Sequence, residues 1–137
     1  MKAIFIAMIL LSTLHADFVK NGNIVRDTDT SLEWQDDKVS DRMYQDDAIR
    51  ECENLVLEGY DDWRLPNINE LKTIVNYSVV NPAIASIFVN TTSEYYWSST
   101  TKSSYKAYAW SVDFYDGTVL TRAKSFLYNV RCVRGGE

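Results

Sequence analysis

"DWRLPNINEL", Asp62 to Leu71, sets a tryptophan, an arginine and a proline immediately before Asn67, with Glu70 three positions further on. An asparagine side chain at a helix N-cap accepts from the amide three residues later. A glutamate at that third position reaches back to the cap's own amide. The string therefore predicts a short helix starting at Asn67, with Leu71, Ile74 and Val75 as its buried stripe. Trp63 and Arg64, just ahead of the cap, allow two readings. They form either an aromatic–cationic ligand contact or a buried corner in which Asp62 or Glu70 holds Arg64; the adjoining cap favours the corner.

Working toward the N-terminus, "MYQDDAIRECENLVLEG" (residues 43–59) repeats apolar side chains at three- and four-residue spacing: Ala48, Ile49, Cys52, Leu55 and Val56. That is an amphipathic helix, with Asp46 and Asp47 in its first turns and Gly59 as its stop. Further upstream, "GNIVRDTDTSLEWQD" (22–36) reads as two strands, around Ile24–Arg26 and Ser31–Gln35, joined by an Asp/Thr turn. On the C-terminal side, residues 76–95 read as a connection with one helical turn near Pro82–Ile87. "EYYWSSTT" (94–101) is a strand. "YAWSVDF" (108–114) and "TVLTR" (118–122) flank a "YDG" turn, and "YNVRCVR" (128–134) closes the order. Trp34, Trp97 and Trp110 are assigned to the core. Strands, two helices, then a largely antiparallel sheet make the fold class α+β.

The first sixteen residues, "MKAIFIAMILLSTLHA", have one lysine, an apolar run from Ala3 to Leu11 and a small-residue end. They read as a secretory signal peptide cleaved after Ala16, leaving residues 17–137 as a single exported domain without a stable membrane anchor. Periplasm and extracellular space both fit. Cleavage also removes Lys2 and His15, leaving 13 basic against 19 acidic side chains, a net charge of −6. Such a surface does not suit nucleic acid. The only histidine is His15, so residues 17–137 have no Ser-His or Cys-His pair and no imidazole ligand. The expectation is a non-enzymatic chain without cofactor.

Cys52 and Cys132 are the two cysteines. In an oxidising compartment an even pair favours one disulfide, enclosing 79 residues and contributing about 4 kcal/mol by loop entropy; two buried free thiols are the other possibility. Arg131 and Arg134, flanking Cys132, read as sheet-edge ion pairs rather than an anion site. Carboxylates at Asp27–Thr30, Asp36–Asp37 and Asp46–Asp47 follow no calcium-loop pattern, and no obligatory metal is expected. A ligand is better served by "TKSSYKAYAW" (101–110). Here Lys102, Tyr105 and Lys106 lie between strands, and Tyr115, Asp116, Arg122 and Lys124 are expected to extend the same rim. Tyrosine offers a sugar ring an apolar face and a hydroxyl, and lysine meets a sulfate or carboxylate.

Four ordered strings, "DWRLPNINEL", "YYWSST", "AWSVDFYDG" and "VRCVRGG", resemble the bacterial domain family named for the C-terminal region of the Legionella collagen-like protein. The opening "TSLEWQ" (30–35) is similar to the family's "TGLMWQ", with Ser31 and Glu33 departing from it. The resemblance implies a C-type-lectin-like fold, two helices on a twisted antiparallel sheet with the termini close together. It also implies surface or secreted proteins, the adhesin's own domain being associated with sulfated glycans. "RLPNINEL" is also similar to the "RLPTEAEW" of formylglycine-generating enzymes, whose chemistry uses reactive cysteines or copper. The partners expected are therefore a glycan or an extracytoplasmic protein. The alternatives are a periplasmic protein-interaction subunit without sugar affinity and an enzyme related to formylglycine generation.

Overall fold

The computed structural model describes Ala3 and residues 17–136, so the leader cleavage read after Ala16 lies outside the described residues. Its first sheet has the order β1-β2-β3-β7: β1 is Phe18–Asn21, β2 Ile24–Asp27, β3 Glu33–Gln35 and β7 Val133–Arg134. The β1–β2 hairpin turns on Gly22 and Asn23, with Gly22 at φ +60°, the backbone region that glycine enters at least cost. That Asn-Gly-Asn signal makes β1 a strand the sequence reading had not assigned. The Asp/Thr turn joins β2 to β3 as expected, closed by Asp27 N donating to Leu32 O at 2.9 Å.

The helices are shorter than their apolar periodicity suggests. α1 spans Gln45–Glu53 and buries Ala48 and Cys52, one turn apart on one face. Leu55 and Val56 fall outside it, and Val56 is 70% exposed. Glu58 and Gly59 both take positive φ in a turn where Leu57 and Tyr60 exchange backbone bonds at 3.0 Å, so Gly59 shapes that turn rather than stopping the helix. α2 spans Ile68–Lys72 with both halves of the capping box present: Glu70 N donates to Asn67 Oδ1 at 2.8 Å, and Asn67 N to Glu70 Oε1 at 3.0 Å. Leu71 and Ile74 are buried and Val75 half-buried. No helix forms at Pro82–Ile87; instead Ile84 bridges back to Val75.

The second sheet is β4 (Tyr95–Thr101), β5 (Tyr108–Asp113) and β6 (Thr118–Ala123), antiparallel throughout. Between Trp97 and Thr101 the pairing with β5 slips, so that Ser98, Ser99 and Thr100 face Trp110. Ser98 Oγ donates to Trp110 O (2.6 Å), Ser99 N donates to Pro66 O (2.8 Å), and Ile68 N donates to Thr100 Oγ1 (3.0 Å). The bulge seats the "RLPN" corner.

Both faces of the strands are covered. Consecutive residues Ile24/Val25, Tyr96/Trp97 and Cys132/Val133 enter different clusters. One holds Trp34, Leu71, Phe88, Val112 and Phe114; the other holds Ala48, Trp63, Leu65, Ala109 and the Cys52–Cys132 disulfide. Trp34 and Trp97 are core residues. Trp110 is not: it is half-buried, because its face opens toward the Tyr108 end of the sheet, where Tyr108 is half-buried and Tyr105 exposed. The architecture is α+β, with two helices and two antiparallel sheets. Among the described residues no helix is long and apolar enough to cross a membrane.

Candidate functional site

The β4–β5 connection is a tight arch. Lys102 N donates to Tyr108 O at 2.8 Å, and Tyr105 O accepts from Tyr108 N at 3.0 Å. The arch stacks Tyr105 on Tyr108 with ring centroids 4.9 Å apart and leaves Tyr105 56% exposed. β6 ends beside it, since Lys124 N donates to Ala107 O at 2.9 Å and Lys124 Nζ to Thr101 Oγ1 at 2.9 Å. Lys102, Tyr105, Lys106 and Lys124 thus lie at one end of the sheet, with Lys124 facing the α1 side like Arg122. Among the described residues none of these lysines forms an ion pair. Next to Lys124 a groove of about 470 Å³ is lined by Tyr44, Asp46, Asp47, Arg50 and Ser125, so carboxylates border the basic end.

Three of the rim residues expected from the sequence do not join it. Tyr115 sits in the β5–β6 turn at the other end of six-residue β5, about 20 Å away at ~3.3 Å per residue. Its carbonyl accepts from Asn81 N at 2.7 Å. Asp116 is beside it, its carboxyl held below the usual range by bonds from Thr118. Arg122 pairs with Ala109 in register and therefore faces the opposite side from Tyr108. It donates to Tyr95 Oη at 2.9 Å and lies 4.9 Å from that ring's centroid; the hydrogen bond raises its pKa.

The residues assigned structural roles are placed as corners. Trp63 is buried and donates to Tyr60 O (3.1 Å). Arg64 makes a two-pronged bond to Glu70 (2.6 and 2.7 Å) and another to Gly135 O (2.8 Å). Asp62, the other candidate partner, binds Arg134, whose hydrogen bond holds the Asp62 carboxyl below its ordinary value. Arg134 also binds Glu33 and lies 3.6 Å over the Tyr60 ring. Arg131 makes the expected ion pair, with Asp36, but from a buried position. It is 4% exposed and donates to Asp36, Gln35 O, Asn90 O and Thr91 Oγ1. Cys52 and Cys132 are bonded to each other, with Cα atoms 5.4 Å apart, leaving no free thiol.

One surface was not anticipated from the sequence. Tyr77, Val79, Val80 and Val89 are exposed around a groove of about 600 Å³ whose floor includes Ile84 and Phe88. Tyr115, at the far end of the sheet, borders the same loop. Its signal was the apolar run of residues 79–89, which as sequence reads equally well as core.

Among protein-family models, the Lcl C-terminal domain matches the chain over residues 23–134. No curated protein matches it.

Proposed function

The chain belongs to the Lcl C-terminal domain family, and on that premise we propose that it is an exported, non-enzymatic binding module with a C-type-lectin-like fold. It recognises an acidic glycan at the end of the sheet formed by Lys102, Tyr105, Lys106 and Lys124. The observation that carries this reading is that three lysines without carboxylate partners lie at the end of the sheet that carries the stacked Tyr105–Tyr108 pair. The rings offer a sugar an apolar platform, and the ammonium groups meet its sulfate or carboxylate. With a whole-chain net charge of −5, recognition depends on this local patch and weakens with salt.

A glycan array followed by titration at two salt concentrations tests the reading. Tyr105→Ala and the pair Lys102→Ala/Lys106→Ala should each weaken binding by about tenfold or more. Failure to bind any acidic or neutral glycan would sink it. The exposed Tyr77–Val89 surface favours a second reading, a periplasmic protein-interaction subunit, because contiguous exposed apolar area marks protein contacts. In that case Val80→Asp removes a co-purifying partner while the lysine variants retain it.

A further inference from the structure

Residues 40–43 run beside residues 128–130. Met43 and Tyr128 exchange backbone bonds at 2.9 and 3.0 Å, Val130 N donates to Ser40 Oγ at 2.8 Å, and Asn129 Nδ2 donates to Ser40 O at 3.0 Å. The Asn129 backbone is committed to β4, donating to Tyr95 O (2.9 Å) and accepting from Trp97 N (3.0 Å). One atom of Asn129 is left over. The residue is 3% exposed, and its Oδ1 is buried without a hydrogen-bond partner. A buried amide oxygen in that state bears its full desolvation cost, so it calls for an explanation.

Asn129 lines a cavity of about 320 Å³ with Ser40, Asp41, Arg42, Thr92 and Glu94. Asp41 and Glu94 are exposed carboxylates that make no hydrogen bond or ion pair among the described residues, although Arg42 lies in the same wall. Two unpaired carboxylates and an orphaned amide oxygen thus belong to residues lining one cavity, and all three are oxygen donors. Hard divalent cations seek such sets and soft metals do not. We propose that Asp41, Glu94 and Asn129 Oδ1 hold a divalent cation of the calcium class, with water completing its coordination. These residues lie outside the carboxylate groups that the sequence singles out. The ion ties the approach to α1, the entrance to β4 and the segment before β7. Two exposed carboxylates place its affinity near 10⁻⁴–10⁻³ M, on the order of extracellular calcium modules.

The test uses the purified chain and calcium itself. At about 10 mM calcium the thermal midpoint should rise by a few degrees over the value in chelator. Terbium should luminesce through neighbouring Tyr95 and Tyr128 and be displaced by calcium. Asp41→Asn and Glu94→Gln, both at exposed positions, should keep the calcium-free midpoint and weaken calcium about tenfold or more. Arg42→Ala should bind calcium as tightly or more tightly. Absence of both the midpoint shift and the luminescence would overturn the proposal. So would terbium binding unchanged in both carboxylate variants.

Discussion

Asp36 is 1% exposed and accepts from four donors: Arg131 Nη1 at 3.0 Å, Lys20 Nζ, Val89 N and Asn90 N at 3.1 Å each. Removing the carboxylate strands a buried guanidinium, which costs about 3–5 kcal/mol. Asp36→Ala should therefore shift urea unfolding by that amount. Asp36→Leu combined with Arg131→Met should cost less than the sum of the two single changes, the excess charge having gone with its partner. Additive costs in that cycle would mean that the ion pair is not what Asp36 contributes. Strand alternation assigns Arg131 a face but not its depth. The residues that bury it, Phe88 to Thr91, come from a connection with no regular period, and Arg131 lies 5.1 Å from the Phe88 ring. Gly117 shows the same limit. "YDG" marks the turn, but the reason for glycine is tertiary: at φ +88° a Cβ would meet Val75 Cγ1 at 2.6 Å. Gly117→Ala should cost more than the ~1 kcal/mol of backbone strain alone, read as a lower thermal midpoint.

α2 is five residues long, too short to persist by propensity, and depends on its cap and on Leu71. Asn67→Ala should cost about 1 kcal/mol in denaturant unfolding. Glu70 does more, since it closes the cap and also holds Arg64. Burial pushes the Glu70 carboxyl up, but the bonds from Arg64 and the Asn67 amide outweigh it and leave the group below its ordinary value. A carboxylate with a depressed folded pKa adds stability that is complete above its unfolded pKa. That stability is lost as pH falls through the folded one. Between about pH 5 and pH 3 the parent should thus lose stability more steeply than Glu70→Gln, measured by urea midpoints along that range. Parallel curves would show that Glu70 does not carry this acid sensitivity. The capping box was legible because cap and partner lie three residues apart. Arg64 was narrowed to two carboxylates, since Asp62 is two residues before it and Glu70 sits in the first turn of the helix that follows; only the approach of Arg134 decides between them. The β4 bulge was not legible. Ser98–Thr100 read as ordinary strand, and the slip exists because Pro66 and Ile68 need partners there.

At the scale of the molecule, the chain returns to itself: β7 pairs with β3, Arg64 bridges Val133, and Cys132 meets Cys52 across a sequence separation of 80. Period and composition disclosed the fold class and the cysteine pair, because both are carried by residues whose spacing or chemistry is local. Assembly of the candidate site was only half legible. Lys102, Tyr105 and Lys106 share one arch, whereas the placement of Tyr115 and Arg122 depends on strand length and register parity. The disulfide supplies the sharpest test at this scale. Closing a loop of that length stabilises by about 4 kcal/mol in the chain-entropy model, often less when measured. Replacing both cysteines by alanine should lower the thermal midpoint on the order of 10 °C while leaving the folded spectrum intact. The bond lies in the cluster containing Ala48, Trp63 and Trp97, away from Tyr105 and Tyr108 on the opposite face. Glycan affinity measured below the new midpoint should therefore match the parent's. A double variant that folds normally but loses binding, or gains a reaction, would give Cys52 and Cys132 a role beyond linking α1 to the last strand.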